Sequence, residues 1–164
     1  MSSGLAVFTF IHVLLSLAGI LAGLVVVFGF LTAKRLDGWT AVFLSTTVLT
    51  SVTGFLFPVH KFMPSHAVGI SSLIFLALAI FARYSRHLSG GWRRTYVISG
   101  IIALYLNVFV LVAQLFQKVP ALKALAPTQS ESPFKIAQLT VLILFVILGV
   151  LATRRFRIEQ LRTA

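Results

Sequence analysis

The chain has 164 residues, 59% hydrophobic and 10% charged, with a mean hydropathy of +1.02; soluble domains carry about 25% charged residues, so this composition predicts an integral membrane protein. The formal net charge of +11 does not indicate nucleic-acid binding, because the Lys and Arg residues lie between and after apolar runs instead of on one solvated patch. The absence of cysteine excludes disulfides, thiolate metal sites, iron–sulfur clusters and covalently attached c-type haem.

Five apolar runs have about the length of 20 residues that a helix needs to cross a bilayer. They cover residues 5–31, 39–57, 66–82, 95–117 and 134–153, with Gly, Pro and Ser signals between them. No Lys or Arg precedes the first run, which is also too long for a signal peptide, so we expect it to be retained as a helix. The predicted fold is an all-α transmembrane bundle of about five helices, with residues 1–164 as a single domain.

The first helix has one face of polar and small residues. His12, Ser16, Gly19 and Gly23 follow one another at helical spacing, so His12 is expected to face the bundle. In one interpretation the glycines form a close-packing surface and His12 is hydrogen-bonded beside it. In the other, the glycines leave room for a flat ligand against the helix.

The second helix contains the hydroxyl-rich stretch "STTVLTSVTG", residues 45–54. Such hydroxyls can bond to the carbonyl four residues earlier or to a neighbouring helix, so they need no ligand. The stretch therefore predicts a helix in the interior of the bundle.

The turn "FPVHKFMPSHAVGI", residues 57–70, places two histidines between the second and third helices. Pro64 and Ser65 predict a turn and an N-cap, which would fix His66 in the first turn of the third helix. His60 lies in the external turn, where water can satisfy both ring nitrogens. The sequence thus favours His12 and His66 as a functional pair, with His60 as a solvated residue.

The fourth helix carries a seam of small and carboxamide residues at spacings of three and four: Gly100, Ala103, Asn107, Val110, Gln114 and Gln117. Unpaired carboxamides in hydrocarbon cost several kcal/mol, so the seam is expected to face protein, ligand or water. Asn107 is interpreted as an interhelical hydrogen-bonding group. Gln114, together with Gln138 at the start of the fifth helix, falls at the same depth as the histidines.

An odd number of spans places the termini on opposite sides of the membrane. Ten basic residues fall on one side: Lys34, Arg35, Arg83, Arg86, Arg93, Arg94, Arg154, Arg155, Arg157 and Arg162. Four fall on the other: Lys61, Lys118, Lys123 and Lys135. The positive-inside rule then predicts an external N-terminus and a cytoplasmic C-terminus. Trp39, Trp92 and Tyr96 are expected to form an aromatic belt at the inner interface.

The predicted cofactor-binding residues are His12, His66, Gln114 and Gln138, in one polar layer of the outer half of the membrane. The only acidic residues, Asp37, Glu131 and Glu159, lie outside the spans, so hydrolytic and phosphoryl-transfer chemistry is not indicated. Histidines on two helices can instead ligate a metal or haem iron. His12 and His66 are accordingly predicted metal ligands, most simply of haem b, which His12 and His60 could also flank. A three-histidine copper or zinc site is the alternative.

The stretches "FPVHKFMPSHAVGI" and "KVPALKALAPTQSESPF", with the five-run layout, resemble a family of small uncharacterised bacterial inner-membrane proteins. This resemblance implies an inner-membrane location and the helical fold but no activity. The histidines beside small residues are also similar in style to membrane b-type cytochromes.

Two functions are left open by the sequence, which does not decide whether the protein is an enzyme. One is a haem-binding or redox protein that exchanges electrons with quinol. The other is a non-enzymatic bundle that binds lipid or serves as an accessory subunit of a membrane complex, in which the same polar groups satisfy each other.

Overall fold

The computed structural model describes residues 3–58 and 61–163, whose regular structure is helical. The helices are α1 (Ser3–Leu31), α2 (Asp37–Gly54), α3 (Pro64–Ile80), α4 (Trp92–Lys118), α5 (Pro120–Leu125) and α6 (Ser132–Thr163). A π-helical turn, Phe81–Ser85, continues α3. The prediction of an all-α bundle is confirmed.

Four described helical segments are long and apolar enough to cross a membrane: Ser3–Leu31, Pro64–Ser85, Trp92–Lys118 and Ser132–Phe156. The chain is therefore a multi-pass membrane protein. The predicted second span is not among the four, because the Ser and Thr residues of α2 lower its hydropathy. α2 nevertheless lies antiparallel to α1, with Gly29 against Leu36 at one end and His12 against Thr53 at the other.

The bundle has two chemically different ends. Arg93 of α4 donates to the carbonyl of Phe156, and Arg155 of α6 donates to the carbonyl of Leu31. These bonds place the end of α1, the start of α4 and the region of α6 around Phe156 next to one another. We call this end of the bundle the arginine end. The opposite end, where His12 lies, is called the histidine end.

Most hydroxyls of α2 are satisfied within the helix. Five of them donate to the carbonyl four residues earlier: Ser45, Thr46, Thr50, Ser51 and Thr53. This is the pattern expected of Ser and Thr in a helix surrounded by apolar groups. Most of the hydroxyl-rich stretch therefore has a structural explanation.

The small residues of α1 are contact points between helices. A Cβ atom added at Gly23 would lie 2.6 Å from Cδ1 of Leu104 and 3.0 Å from the ring of Phe43. One added at Gly19 would lie 3.0 Å from Oγ1 of Thr47. The structure supports the close-packing interpretation, and it leaves no room for a flat ligand against these glycines.

The core of the arginine end contains a buried charge. Arg83, in the π-helical turn, is only 5% exposed and forms an ion pair with Asp37. Its guanidinium also donates to the hydroxyl of Tyr96 at 3.3 Å and lies 5.3 Å from the centre of that ring. The sequence pattern predicts that Arg83 lies at the membrane interface with the other charges, whereas the structure buries it inside the bundle.

Tyr96 was expected in the aromatic belt and is 1% exposed. Its ring packs edge-on against Phe30, and its hydroxyl lies 3.4 Å from that of Thr40. Trp39, in contrast, is 51% exposed, as a belt residue would be. The belt prediction is wrong for Tyr96 because the polar groups of Arg83 and Thr40 satisfy its hydroxyl inside the bundle.

The connection between α4 and α6 is more ordered than the predicted loop. Pro120 starts α5, which agrees with the preference for proline in the first helical turn. Before α6, Glu131 accepts hydrogen bonds from the Thr128 hydroxyl at 2.7 Å and the Ser130 amide at 3.0 Å. The bond from Thr128 is the main cause that lowers the pKa of Glu131 below its usual value.

Candidate functional site

A cavity of about 110 Å³ lies in the histidine half of the bundle, where α1, α2, α3 and α4 meet. The polar residues of its lining are His12, Ser16, Thr47, Thr50, Ser51, Ser65, His66, Ser72 and Asn107. The cavity therefore brings together the two histidines that the sequence favours as a functional pair.

His66 is oriented by the start of α3. The N-cap is Met63 and not the predicted Ser65, and its backbone N–H donates to Nδ1 of His66 at 2.9 Å. The imidazole thus takes the place of the Glu or Gln side chain of a capping box. Because Nδ1 accepts this bond, a neutral His66 carries its proton on Nε2, which is a donor.

His12 is oriented by α2. Its Nδ1 lies 2.8 Å from Oγ1 of Thr53, and the Thr53 hydroxyl donates to the carbonyl of Leu49 at 2.7 Å. When the single hydroxyl proton is used there, Oγ1 accepts a hydrogen bond from Nδ1–H of His12. In that arrangement a neutral His12 carries its proton on Nδ1, and its Nε2 is an acceptor.

The two imidazoles are consequently complementary. His66 offers a donor and His12 an acceptor, and neither Nε2 has a hydrogen-bond partner within residues 3–58 and 61–163. A molecule that carries both a hydrogen-bond donor and an acceptor suits such a pair.

Aromatic rings surround both histidines. Phe57 meets His12 edge-on at 5.1 Å between ring centres. Phe55 stacks on His66 at 5.6 Å, and Phe62 lies at 5.5 Å from the same ring. These contacts fix the imidazole planes and place an apolar aromatic rim next to the polar cavity.

Some polar groups of the cavity wall hydrogen-bond to one another, and one has no partner. Ser16 donates to Oδ1 of Asn107 at 2.9 Å, which agrees with the interpretation of Asn107 as an interhelical hydrogen-bonding group. Oγ1 of Thr47 is buried and has no partner in the described part of the chain. A buried hydroxyl without a partner costs about 1–3 kcal/mol, so a water molecule or a ligand atom in the cavity is expected to satisfy it.

The two glutamines of the predicted polar layer lie elsewhere. Gln138 is buried between α4 and α6, where its amide donates to the carbonyl of Phe109 at 3.1 Å. Gln114 is exposed on the surface of α4. Neither lines the cavity. His60 lies outside the described residues.

The volume of the cavity limits what it holds. Pockets for ordinary ligands measure about 300–1,000 Å³, whereas about 150 Å³ suffices for a single benzene ring. A cavity of about 110 Å³ is close to the smaller figure. Haem b therefore stays a prediction from the histidines alone, and the geometry favours a smaller group.

A metal site built from protein side chains would have few ligands. Within the described ranges, no group of three or more His, Asp or Glu side chains is placed to hold a metal ion. The metal prediction thus continues to rest on His12 and His66.

Comparison with known protein families, curated proteins and solved structures finds no match to this chain.

Proposed function

We propose that this protein binds the head group of a membrane quinone or quinol in the cavity between His12 and His66. The observation that carries the proposal is the pair of unpartnered Nε2 atoms, one a donor and one an acceptor, on a shared cavity. A quinone ring carries acceptor oxygens, and its reduced form adds O–H donors. Its isoprenoid tail would extend into the surrounding lipid.

The surface of the cavity suits a single ring better than its volume does. The volume of about 110 Å³ is smaller than the about 150 Å³ of a cavity known to accept benzene, so a quinone ring requires the cavity to widen when it binds. Phe55 lines the cavity next to His66 and offers an apolar surface against which an aromatic ring can pack.

Each polar residue then has a defined role. His66 donates from Nε2 to a ring oxygen, and His12 accepts from a quinol hydroxyl at the opposite position. The Thr47 hydroxyl, otherwise unpartnered, bonds to the ring oxygen or to a water beside it. The proposal concerns binding, and electron transfer would require a redox partner in addition.

A second candidate is an accessory subunit in which the polar groups serve only the bundle. It is favoured by the hydrogen bonds from Ser16 to Asn107 and from Ser51 to Ser72, which connect helices directly. In that case water alone would fill the cavity.

Titration of the purified protein in detergent with a short-chain quinone and its reduced form, followed by calorimetry, distinguishes the two. We expect one site per chain. His66→Ala should weaken binding of both the quinone and the quinol by about tenfold, which corresponds to one net hydrogen bond of about 1.4 kcal/mol. His12→Ala should weaken only quinol binding by that factor, because a quinone has no O–H group to donate to His12. The matched control is His87→Asn: His87 is exposed and has φ of 48°, which Asn tolerates. Absence of binding in the wild-type protein would leave the accessory role.

Haem binding is tested separately, by absorption spectroscopy. The purified protein would show a Soret band in oxidised and dithionite-reduced spectra, which His12→Ala and His66→Ala would each abolish and His60→Ala would retain. A colourless protein that still binds quinone supports the present proposal.

We further propose that the protein lies in a bacterial inner membrane with its histidine end outside. The proposal is supported by the clustering of Arg83, Arg93 and Arg155 at the opposite end, which the positive-inside rule makes cytoplasmic. Cysteines introduced at the exposed Ser130 and Ser89 report on the two ends. A membrane-impermeant thiol reagent should label Ser130→Cys in intact spheroplasts and Ser89→Cys only after lysis. The reverse pattern would contradict this orientation.

A further inference from the structure

Helices α4 and α6 form an open groove of about 520 Å³ on the surface of the bundle. Its walls are mostly apolar and come from residues within 98–105 of α4 and 142–150 of α6. Two arginines, Arg94 and Arg154, stand together where the groove reaches the arginine end. The groove shares no residue with the histidine cavity.

The length of the groove matches one leaflet of a bilayer. At a rise of 1.5 Å per residue, the helix from Arg94 to Tyr105 measures about 16 Å and that from Leu142 to Arg154 about 18 Å. Half of a hydrocarbon core of about 30 Å is about 15 Å. The groove therefore runs from the head-group level to the middle of the membrane.

Among the side chains described in residues 3–58 and 61–156, no carboxylate pairs with the arginines at the mouth of the groove. Arg94 and Arg154 are both exposed, and the ion pairs in the described structure join Asp37 to Arg35 and Arg83 instead. Two guanidinium groups that border one groove can both donate to the oxygens of a phosphate. A transmembrane helix seated in the groove would bury them without an opposite charge, whereas a lipid phosphate supplies one.

We propose that this groove binds one glycerophospholipid with an anionic head group. Its phosphate lies between Arg94 and Arg154, and one acyl chain follows the groove toward Tyr105. Basic pockets between transmembrane helices are a recognised form of anionic-lipid site.

The floor of the groove provides a way to block it. A Cβ atom added at Gly149 would lie 3.8 Å from Cγ2 of Ile101, an ordinary contact, so the first carbon of a side chain there is accommodated at the floor of the groove. Gly149→Phe is therefore a groove-filling variant. Arg94→Gln combined with Arg154→Gln removes the charge and leaves the apolar walls intact.

Native mass spectrometry of the full chain in detergent tests the proposal with phosphatidylglycerol and phosphatidylcholine of identical acyl chains. We expect one phosphatidylglycerol to be retained by the wild-type protein, and the double Arg variant to need about 30-fold more lipid for the same occupancy. This factor equals about 2 kcal/mol, or about 1 kcal/mol for each arginine. Gly149→Phe should lose the bound lipid while its melting temperature in detergent is kept.

The control is Lys123→Gln combined with Lys135→Gln, which removes the same charge from exposed positions at the histidine end. It should bind phosphatidylglycerol as the wild type does. Equal retention of both lipids by the wild type, or an unchanged affinity of the double Arg variant, would overturn the proposal. So would a dimer that Gly149→Phe dissociates, because a second copy of the chain would then occupy the groove.

Discussion

Gly23→Leu is expected to lower the free energy of unfolding by about 1–3 kcal/mol or more, the usual cost of overpacking a core. At this position even the first added carbon would lie 2.6 Å from Leu104 and 3.0 Å from Phe43. Both neighbours are core residues, 0% and 3% exposed, so they cannot move aside without displacing α4 or α2. Titration of the purified protein with SDS in mixed micelles, followed by circular dichroism, measures the change.

Two further variants of α1 make this expectation specific. Gly19→Leu should also destabilise, because its Cβ would lie 3.0 Å from Oγ1 of Thr47. Gly4→Leu is the control, since Gly4 has no atom within 4 Å of the added carbon, and it should unfold as the wild type does. Equal stability of Gly23→Leu and Gly4→Leu would mean that this face of α1 is not a helix contact.

The helices and their grouping could be predicted from the sequence because both depend on composition over long stretches. Apolar runs of about 20 residues have few alternatives to helices in a bilayer. The predicted run 95–117 corresponds to α4 at Trp92–Lys118, and 5–31 corresponds to α1 at Ser3–Leu31. The short α5 was missed because it lies in a polar connection whose prolines indicate a loop as readily as a helix start.

The direction of single side chains was harder to predict. The seam on α4 holds for Gly100, Ala103 and Asn107, which are buried, but Gln114 and Gln117 are exposed. A spacing of three and four residues averages 3.5 per turn, and a straight helix drifts by about 20° per heptad from that repeat. The drift is about 40° between Gly100 and Gln114, which contributes to the exposure of the two glutamines but is too small to account for it alone.

The candidate site was partly accessible from the sequence. Helical spacing places His12 toward the bundle, and the prolines before α3 place His66 in its first turn. That the two residues line one cavity depends on the packing order of the helices, which the pattern does not give. The proton positions on the two rings could not be predicted. That of His66 depends on the bond from the Met63 amide, and that of His12 depends on Thr53, whose hydroxyl contacts the Leu49 carbonyl. Those are contacts between atoms, and hydrophobic periodicity carries no information about them.

Tyr96→Ala is expected to lower the free energy of unfolding by about 3–5 kcal/mol, the range for removing a buried aromatic ring. Tyr96 is 1% exposed, packs against Phe30, and supports the buried guanidinium of Arg83. Packing of this kind, more than exclusion of water, holds helices together in lipid. The same SDS titration measures the loss.

Two milder variants distinguish the contribution of the Tyr96 ring from that of its hydroxyl and from that of the neighbouring ring of Tyr84. Tyr96→Phe removes only long hydrogen bonds, 3.3 Å from Arg83 and 3.4 Å to Thr40, and should cost about 1 kcal/mol. Tyr84→Ala also removes a ring near the Arg83 guanidinium, at 5.6 Å, but Tyr84 is 50% exposed. Its loss should therefore cost about 1 kcal/mol or less, the value of an exposed cation–π contact. If Tyr84→Ala destabilised the protein as much as Tyr96→Ala, the contact with Arg83 rather than burial of the Tyr96 ring would be what stabilises the arginine end.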